Sequence, residues 1–164
     1  MPQLIRTAIC LIVLASCNQK PAEAPAFRDP AAPIYSSAVL ENARLSGHWV
    51  QVATFAPGGQ ANCTPGVVDI AAGQASWDLC LASGQVRGAG PMIAGKPGRF
   101  DLAGMPVWWV LWADADYRTL VIGTPSGGMG FVLNRDAAMP ADRVKAVRDI
   151  LRFDGYHLDR LVEF

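Results

Sequence analysis

The chain has 164 residues, of which 51% are hydrophobic and 17% are charged, and its 14 basic side chains balance its 14 acidic ones. A neutral chain lacks the basic surface on which nucleic-acid binding depends, so we expect no nucleic-acid partner. The apolar and aromatic content excludes a disordered chain. The length suits one domain with one core and leaves little room for a second.

The first sixteen residues have the profile of an export signal. Arg6 supplies one positive charge, and the apolar stretch over residues 7–16 is too short to span a bilayer. The stretch ends in Leu-Ala-Ser before Cys17. Small residues before a cysteine resemble the lipobox of bacterial lipoproteins, in which the thiol is acylated with chains such as palmitate and the preceding bond is cut. An ordinary cleaved signal with an incidental Cys17 is the alternative.

The lipoprotein resemblance implies a membrane anchor followed by a linker. Acyl chains on Cys17 would hold the protein at the membrane, and Asn18, where Asp tends to cause inner-membrane retention, favours the outer membrane and its periplasmic face. Residues 17–32 combine three prolines with alanines, which predicts an extended linker. The folded domain is therefore expected over residues 33–164.

Two cysteines remain in the mature domain. Cys63 and Cys80 are an even pair in an oxidising compartment, which favours a disulfide. Two buried free thiols are the alternative, because sequence does not give their separation. His48 and His157 have no cysteine nearby, so we predict no metal site, and no motif indicates a cofactor.

From Leu45 onward, short apolar or alternating runs are separated by Gly and Pro, the pattern of an antiparallel all-β domain. An eight-stranded up-and-down barrel is the predicted architecture, because closure removes the exposed edges of a flat sheet. We expect its strands at residues 48–55, 66–71, 75–82, 85–89, 98–102, 106–113, 117–123 and 129–135.

One helix follows the strands. Pro140 to Arg152 places Val144, Val147 and Leu151 at helical spacing. The strand at 106–113 is apolar on both faces, so one face is expected to line the barrel and the other to be partly covered by this helix. Residues 158–164 are expected to add a short strand.

Three short motifs resemble those of lipocalins. Gly47 and Trp49 resemble the family's G-x-W motif, Asp116 and Tyr117 its second motif in a turn, and Arg135 the arginine of its third. Together with the lipobox, they make the chain similar to bacterial lipocalins of the apolipoprotein D type. The physical expectation beside this is that the Arg135 guanidinium lies across the Trp49 indole and that both close one end of the barrel.

A barrel of this size holds side chains or one small ligand. The resemblance implies a lipophilic ligand, a fatty acid or lysophospholipid, bound for storage or transfer in the cell envelope, without any reaction. One alternative is a ligand-free barrel lipoprotein that acts through protein contacts, as an inhibitor or assembly factor. Another is an enzyme with the lipocalin fold, which would need a cluster of polar side chains inside the barrel. The oligomeric state is left open. The candidate ligand contacts are Phe55, Val68, Trp77, Met92, Trp108, Val110 and Trp112.

Overall fold

The computed structural model describes residues 26–164. The predicted signal peptide, Cys17 and the linker up to residue 25 lie outside the described residues. The elements in chain order are β1 Gly47–Phe55, β2 Val67–Ala71, β3 Gln74–Leu81, β4 Gly84–Ala94, β5 Arg99–Leu102, β6 Trp108–Ala113, β7 Thr119–Gly123, β8 Gly130–Asn134, α1 Ala141–Phe153 and β9 Leu161–Glu163, with a 3-10 helix at Asn42–Leu45 ahead of β1.

The strands form a closed antiparallel barrel, as the sequence predicts. Each of β2 to β8 pairs with its neighbour in the chain, and β1 pairs with both β2 and β8. The first half of β1 pairs with β2, with Gly47 opposite Ile70. The second half of β1 pairs with β9, with Phe55 opposite Leu161. The expected short C-terminal strand is therefore present and completes one edge of β1.

The barrel has two ends of different construction. The N-terminal 3-10 helix and the turns after β2, β4, β6 and β8 lie at the end where β1 begins, which we call the closed end. The opposite end, which we call the open end, carries the four connections at residues 56–66, 82–83, 103–107 and 124–129. Antiparallel pairing between successive strands dictates this alternation.

Strand β4 is longer than the sequence predicts. The expected strand stops at residue 89, before Gly90 and Pro91, whereas β4 continues to Ala94. Pro91 lies where β4 ends its pairing with β3, and the next residue begins the pairing with β5. A proline is tolerated where no ladder hydrogen bond is needed from its nitrogen, so the strand passes through it.

Helix α1 packs on the outside of the barrel, in agreement with the prediction. Its side chains Val147 and Leu151 are buried against Val121 and Val132 of β7 and β8. Pro140 stands directly before its first turn, a position where a missing N–H costs nothing. The outer apolar cluster is thus the helix–barrel interface, separate from the cluster inside the barrel.

The packed part of the chain starts earlier than residue 33. Phe27 is buried in the outer cluster, and Arg28 is buried with its guanidinium donating to the carbonyls of Pro125 and Asp154. Residues 26–32 were predicted to belong to the linker, because the three prolines of residues 17–32 indicate an extended chain. One aromatic residue and one arginine do not by themselves indicate packing against the barrel. No helix among residues 26–164 is long and apolar enough to cross a membrane.

Candidate functional site

The closed end is built around Trp49, which is completely buried. Its indole Nε1 donates to the carbonyl of Leu45 at 2.7 Å, so the ring is fixed to the 3-10 helix before β1. The guanidinium carbon of Arg135 lies 3.6 Å from the centroid of the same ring. The expected Trp49–Arg135 stack therefore exists and seals this end of the barrel.

Arg135 also ties the entering chain to the turn before β7. Its N–H groups donate to backbone carbonyls at 2.9–3.2 Å, those of Arg44, Ser46, His48 and Tyr117. Burial, with a smaller contribution from the nearby Arg118, lowers the pKa of the guanidinium from its ordinary value. Gly47 is required beside it, because its φ is 112° and a Cβ there would lie 2.9 Å from Arg135 Nη1.

The acidic residue that organises the β6–β7 turn is Asp114, two residues before the Asp116 named in the motif resemblance. The Asp114 carboxylate accepts from the backbone N–H groups of Arg118 and Thr119 at 2.7 and 2.6 Å. Asp116 is exposed, and its side chain makes no hydrogen bond within residues 26–164. A carboxylate at the first turn position reaches the following N–H groups, and one at the third position does not. Tyr117 is buried, and its hydroxyl accepts from the Glu41 N–H at 2.7 Å.

The disulfide between Cys63 and Cys80 is present, with Cα atoms 5.4 Å apart. It joins the long β1–β2 connection to β3. Beside it, the buried Gln51 amide donates to the Cys80 carbonyl at 2.7 Å and accepts from the Cys80 N–H at 2.8 Å. Thr54 donates to the same carbonyl at 2.8 Å. These contacts hold the loop against the barrel wall and satisfy the polar groups buried there.

Bulky side chains occupy the barrel interior, from Trp49 near the closed end to Trp108 and Phe131, which follow the open-end connections before β6 and β8. Trp49, Trp108 and Phe131 are buried in the inner cluster, and the last two meet edge-to-face with ring centroids 5.2 Å apart. Trp77 lies against the backbone of Gly88, where a Cβ would come within 2.4 Å of its ring. A ligand entering from the open end would therefore meet a wall of aromatic rings rather than a channel.

Four of the seven candidate ligand contacts are buried inside the barrel, and Met92 packs partly buried against them. The prediction that Phe55 and Trp112 face the barrel interior is wrong, because both belong to the outer cluster under helix α1. The pairing register shifts between Gln51 and Ala53 in β1 and between Val110 and Trp112 in β6. A bulge adds one residue and reverses the face of every later side chain, so strict alternation placed these two on the wrong side. The four interior residues are Val68, Trp77, Trp108 and Val110.

A pocket of about 320 Å³ opens at the open end of the barrel. Its wall is mostly apolar and comes from the ends of β3 and β4 and from the connections before β6 and β8. Within the described residues 26–164, no lysine, arginine, aspartate or glutamate lines it. Its side chains include Leu81, Val86, Met105, Pro106 and Met129.

The candidate list from the sequence missed all of these pocket residues. They lie at strand ends and in turns, where alternation gives no information on direction. The available signal was the position of the two methionines, Met105 and Met129, next to the glycines of two predicted turns at the same end of the barrel. Methionine adapts its shape to irregular partners, which suits a surface that contacts more than one apolar molecule.

Two indole N–H groups inside the barrel have no acceptor. Among residues 26–164, the Nε1 atoms of Trp77 and Trp108 are buried side-chain donors that lack a hydrogen-bond partner. A buried donor left without a partner costs about 1–3 kcal/mol. An oxygen atom of a bound molecule or a water reaching this depth would remove that cost.

Solved structures of several animal proteins resemble this chain in fold. Lipocalin 12 from rat epididymis has a TM-score of 0.58 at 10% identity and covers 79% of this chain and 87% of its own. The cockroach allergen Per a 4 has a TM-score of 0.56 at 14% identity, with 82% and 94% covered. Lobster apocrustacyanin A1 has a TM-score of 0.53 at 15% identity, with 86% and 92% covered.

Sequence comparison gives a narrower result. No curated protein sequence matches the chain. A family model described as a lipocalin-like domain matches residues 99–164, which include β5 to β9, α1 and the Arg135 position. The closed barrel with one helix outside it shows that the chain has the lipocalin fold, and residues 99–164 of that barrel are similar to the lipocalin-like domain family.

Proposed function

We propose that this protein is a membrane-anchored bacterial lipocalin that takes the apolar chain of a fatty acid or lysophospholipid into the pocket at its open end, for storage or transfer in the cell envelope. The observation that carries the proposal is the apolar pocket lined by Leu81, Val86 and Met129. The lipocalin fold typically binds small hydrophobic molecules, and this pocket lies at the end of the barrel opposite the Trp49–Arg135 stack.

The size of the pocket sets what it can hold. A volume of about 320 Å³ is at the lower limit of the roughly 300–1,000 Å³ of small-molecule sites, so it suits part of an acyl chain. Because the pocket wall carries no charged side chain, a carboxylate or phosphate head would find no ion pair there. We therefore expect the chain to enter and the charged head to stay in water at the rim.

The envelope part of the proposal depends on Cys17 and on the predicted signal before it. Two or more acyl chains at about 0.8 kcal/mol per buried methylene would anchor the protein permanently. An anchored binding protein in the periplasm needs no reaction for this role, and no catalytic function is proposed. Intact mass of the protein extracted from bacterial membranes tests the anchor, because acylation adds the mass of the lipid to a chain that begins at Cys17.

Ligand binding is tested by native mass spectrometry with palmitate and with a lysophospholipid. Val86 faces the pocket, so Val86→Phe fills part of it and is expected to weaken binding at least tenfold. Ile93 is on the same strand and is 59% exposed, so Ile93→Phe is the matched control and should bind as the unmodified chain does. Equal binding by both variants, or no binding of either lipid by the unmodified chain, would contradict the proposal.

The second candidate is a ligand-free barrel that acts through protein contacts. The aromatic side chains that occupy the barrel interior favour it. The binding assay separates the two candidates: under the first, Val86→Phe weakens lipid binding at least tenfold, whereas under the second the unmodified chain already binds neither lipid.

A further inference from the structure

The four connections at the open end carry no charged residue. They are residues 56–66, 82–83, 103–107 and 124–129, and they consist of Gly, Pro, Ala, Met, Val107, the disulfide-bonded Cys63 and uncharged polar side chains. Val107, on one of them, is 40% exposed. Moving these connections from water to an apolar surface costs little free energy, because no charged side chain on them has to be desolvated.

The closed end is different. Its turns and the chain that enters it carry charged side chains of both signs, many of them exposed. Charged side chains do lie beside the open-end connections: Asp159 and Arg160 pair with each other next to the first one, and the Arg28 guanidinium is buried against the Pro125 carbonyl. Lys96, Arg99 and Asp101 border a groove that Val107 and residues 124–126 also line, but none of these charges is on a connection itself. Contact with an apolar or zwitterionic surface is therefore favoured at one end of the barrel only. The charged residues of the closed end include Glu41, Arg44, Asp114, Asp116, Arg118, Arg135 and Asp136.

The N-terminal segment is packed beside this uncharged rim. The Phe27 N–H donates to the Gly127 carbonyl at 2.7 Å, and Arg28 Nη1 donates to the Pro125 carbonyl at 2.6 Å. Ten residue steps separate Phe27 from Cys17, so an acylated Cys17 lies at most about 35 Å from the rim. The closed end is farther from Cys17 by about the length of strand β1, whose 9 residues extend about 30 Å. If the closed end faced the membrane, the chain from Cys17 to Phe27 would have to be almost fully extended along the barrel.

We infer that the open end of the barrel faces and contacts the lipid surface in which Cys17 is anchored, so that an acyl chain passes between bilayer and pocket without crossing water. This inference rests on the proposed anchor at Cys17. The pocket opens between Ser83 and Gly128 on the same rim, so the surface that touches lipid is also the entrance. Because the rim is uncharged, the contact depends on apolar and dipolar interactions and should be insensitive to salt.

The test places a fluorescent probe at either end of the acylated full chain in vesicles of phosphatidylethanolamine and phosphatidylglycerol that contain a brominated lipid. Ser83→Cys puts the label on the rim and Ala43→Cys puts it at the closed end, and both positions are exposed. The introduced cysteine is the only free thiol of the acylated protein, since Cys63 and Cys80 are joined, Cys17 is acylated, and cleavage before Cys17 removes Cys10 with the signal. We expect the brominated lipid to quench the Ser83 label at least twofold more than the Ala43 label, in low and in high salt.

Each other outcome counts against the inference. Quenching that is equal at both labels, absent from both, or stronger at Ala43 would overturn the orientation while the anchor and ligand binding stand. Quenching of the Ser83 label that disappears in high salt would overturn the uncharged contact. A chain whose mass shows no acyl group on Cys17 would overturn the anchor and this orientation with it, and would leave the pocket assignment untouched.

Discussion

Replacing Arg135 by alanine should destabilise the barrel at its closed end. The side chain donates to four backbone carbonyls and lies 3.6 Å from the Trp49 ring. These bonds are partly exposed, so each is worth the low end of the usual net value of about 0.5–1.5 kcal/mol, and a partly solvated cation–π contact adds about 0.5–1 kcal/mol. The expected loss of unfolding free energy is about 2–3 kcal/mol.

The assay is urea unfolding followed by tryptophan fluorescence, together with a thermal scan. For a domain of this size the loss corresponds to a fall in Tm of about 5–10 °C. Arg135→Lys keeps the charge but not the planar fork of donors, so it should recover less than half of the loss. Arg118→Ala is the matched control, because this neighbouring arginine is exposed and pairs only with Asp136, an interaction worth at most about 1 kcal/mol. Equal stability of Arg135→Ala and Arg118→Ala would refute the closed-end assignment.

Other parts of the fold give further predictions. Opening the 17-residue disulfide loop with Cys63→Ser and Cys80→Ser should cost about 3 kcal/mol in urea unfolding, and an unchanged midpoint would show that the loop adds nothing. Leu151→Ala, in the fully buried stripe of α1, should cost about 2–5 kcal/mol, whereas the exposed Arg152→Ala should cost under 1 kcal/mol. Burial raises the pKa of Tyr156 from 10.0 to about 12, so the neutral phenol stabilises the fold fully below pH 10 and this contribution is lost as the pH rises through 12. Unfolding measured from pH 9 to 12 should lose about 2–3 kcal/mol in the unmodified chain, and Tyr156→Phe should lack this loss.

Much of the fold could be predicted because its signals are local. Gly and Pro between apolar runs mark the eight strands, and Val147 and Leu151 at helical spacing mark α1. The closing pair of Trp49 and Arg135 followed from a motif resemblance joined to the affinity of a guanidinium for an indole.

Whether an individual strand side chain points into the barrel or outward could not be predicted, because this depends on the pairing register of the strand. The bulges after Gln51 and Val110 carry no strong sequence signature, and each reversed the alternation that assigned Phe55 and Trp112 to the interior. The burial of Phe27 was missed for a related reason: a single aromatic residue has no periodicity, and only the outer groove of the folded barrel gives it a place.

The methionine methyl groups give the most direct test of ligand binding at the open end. Of the five methionines, Met105 and Met129 line the pocket, whereas Met139 packs partly buried with the outer cluster. In a ¹³C-methyl NMR titration with a lysophospholipid below its micelle concentration, the signals of Met105 and Met129 should shift saturably and that of Met139 should stay in place. Unmoved signals from both pocket methionines, or a shift confined to Met139, would contradict the account.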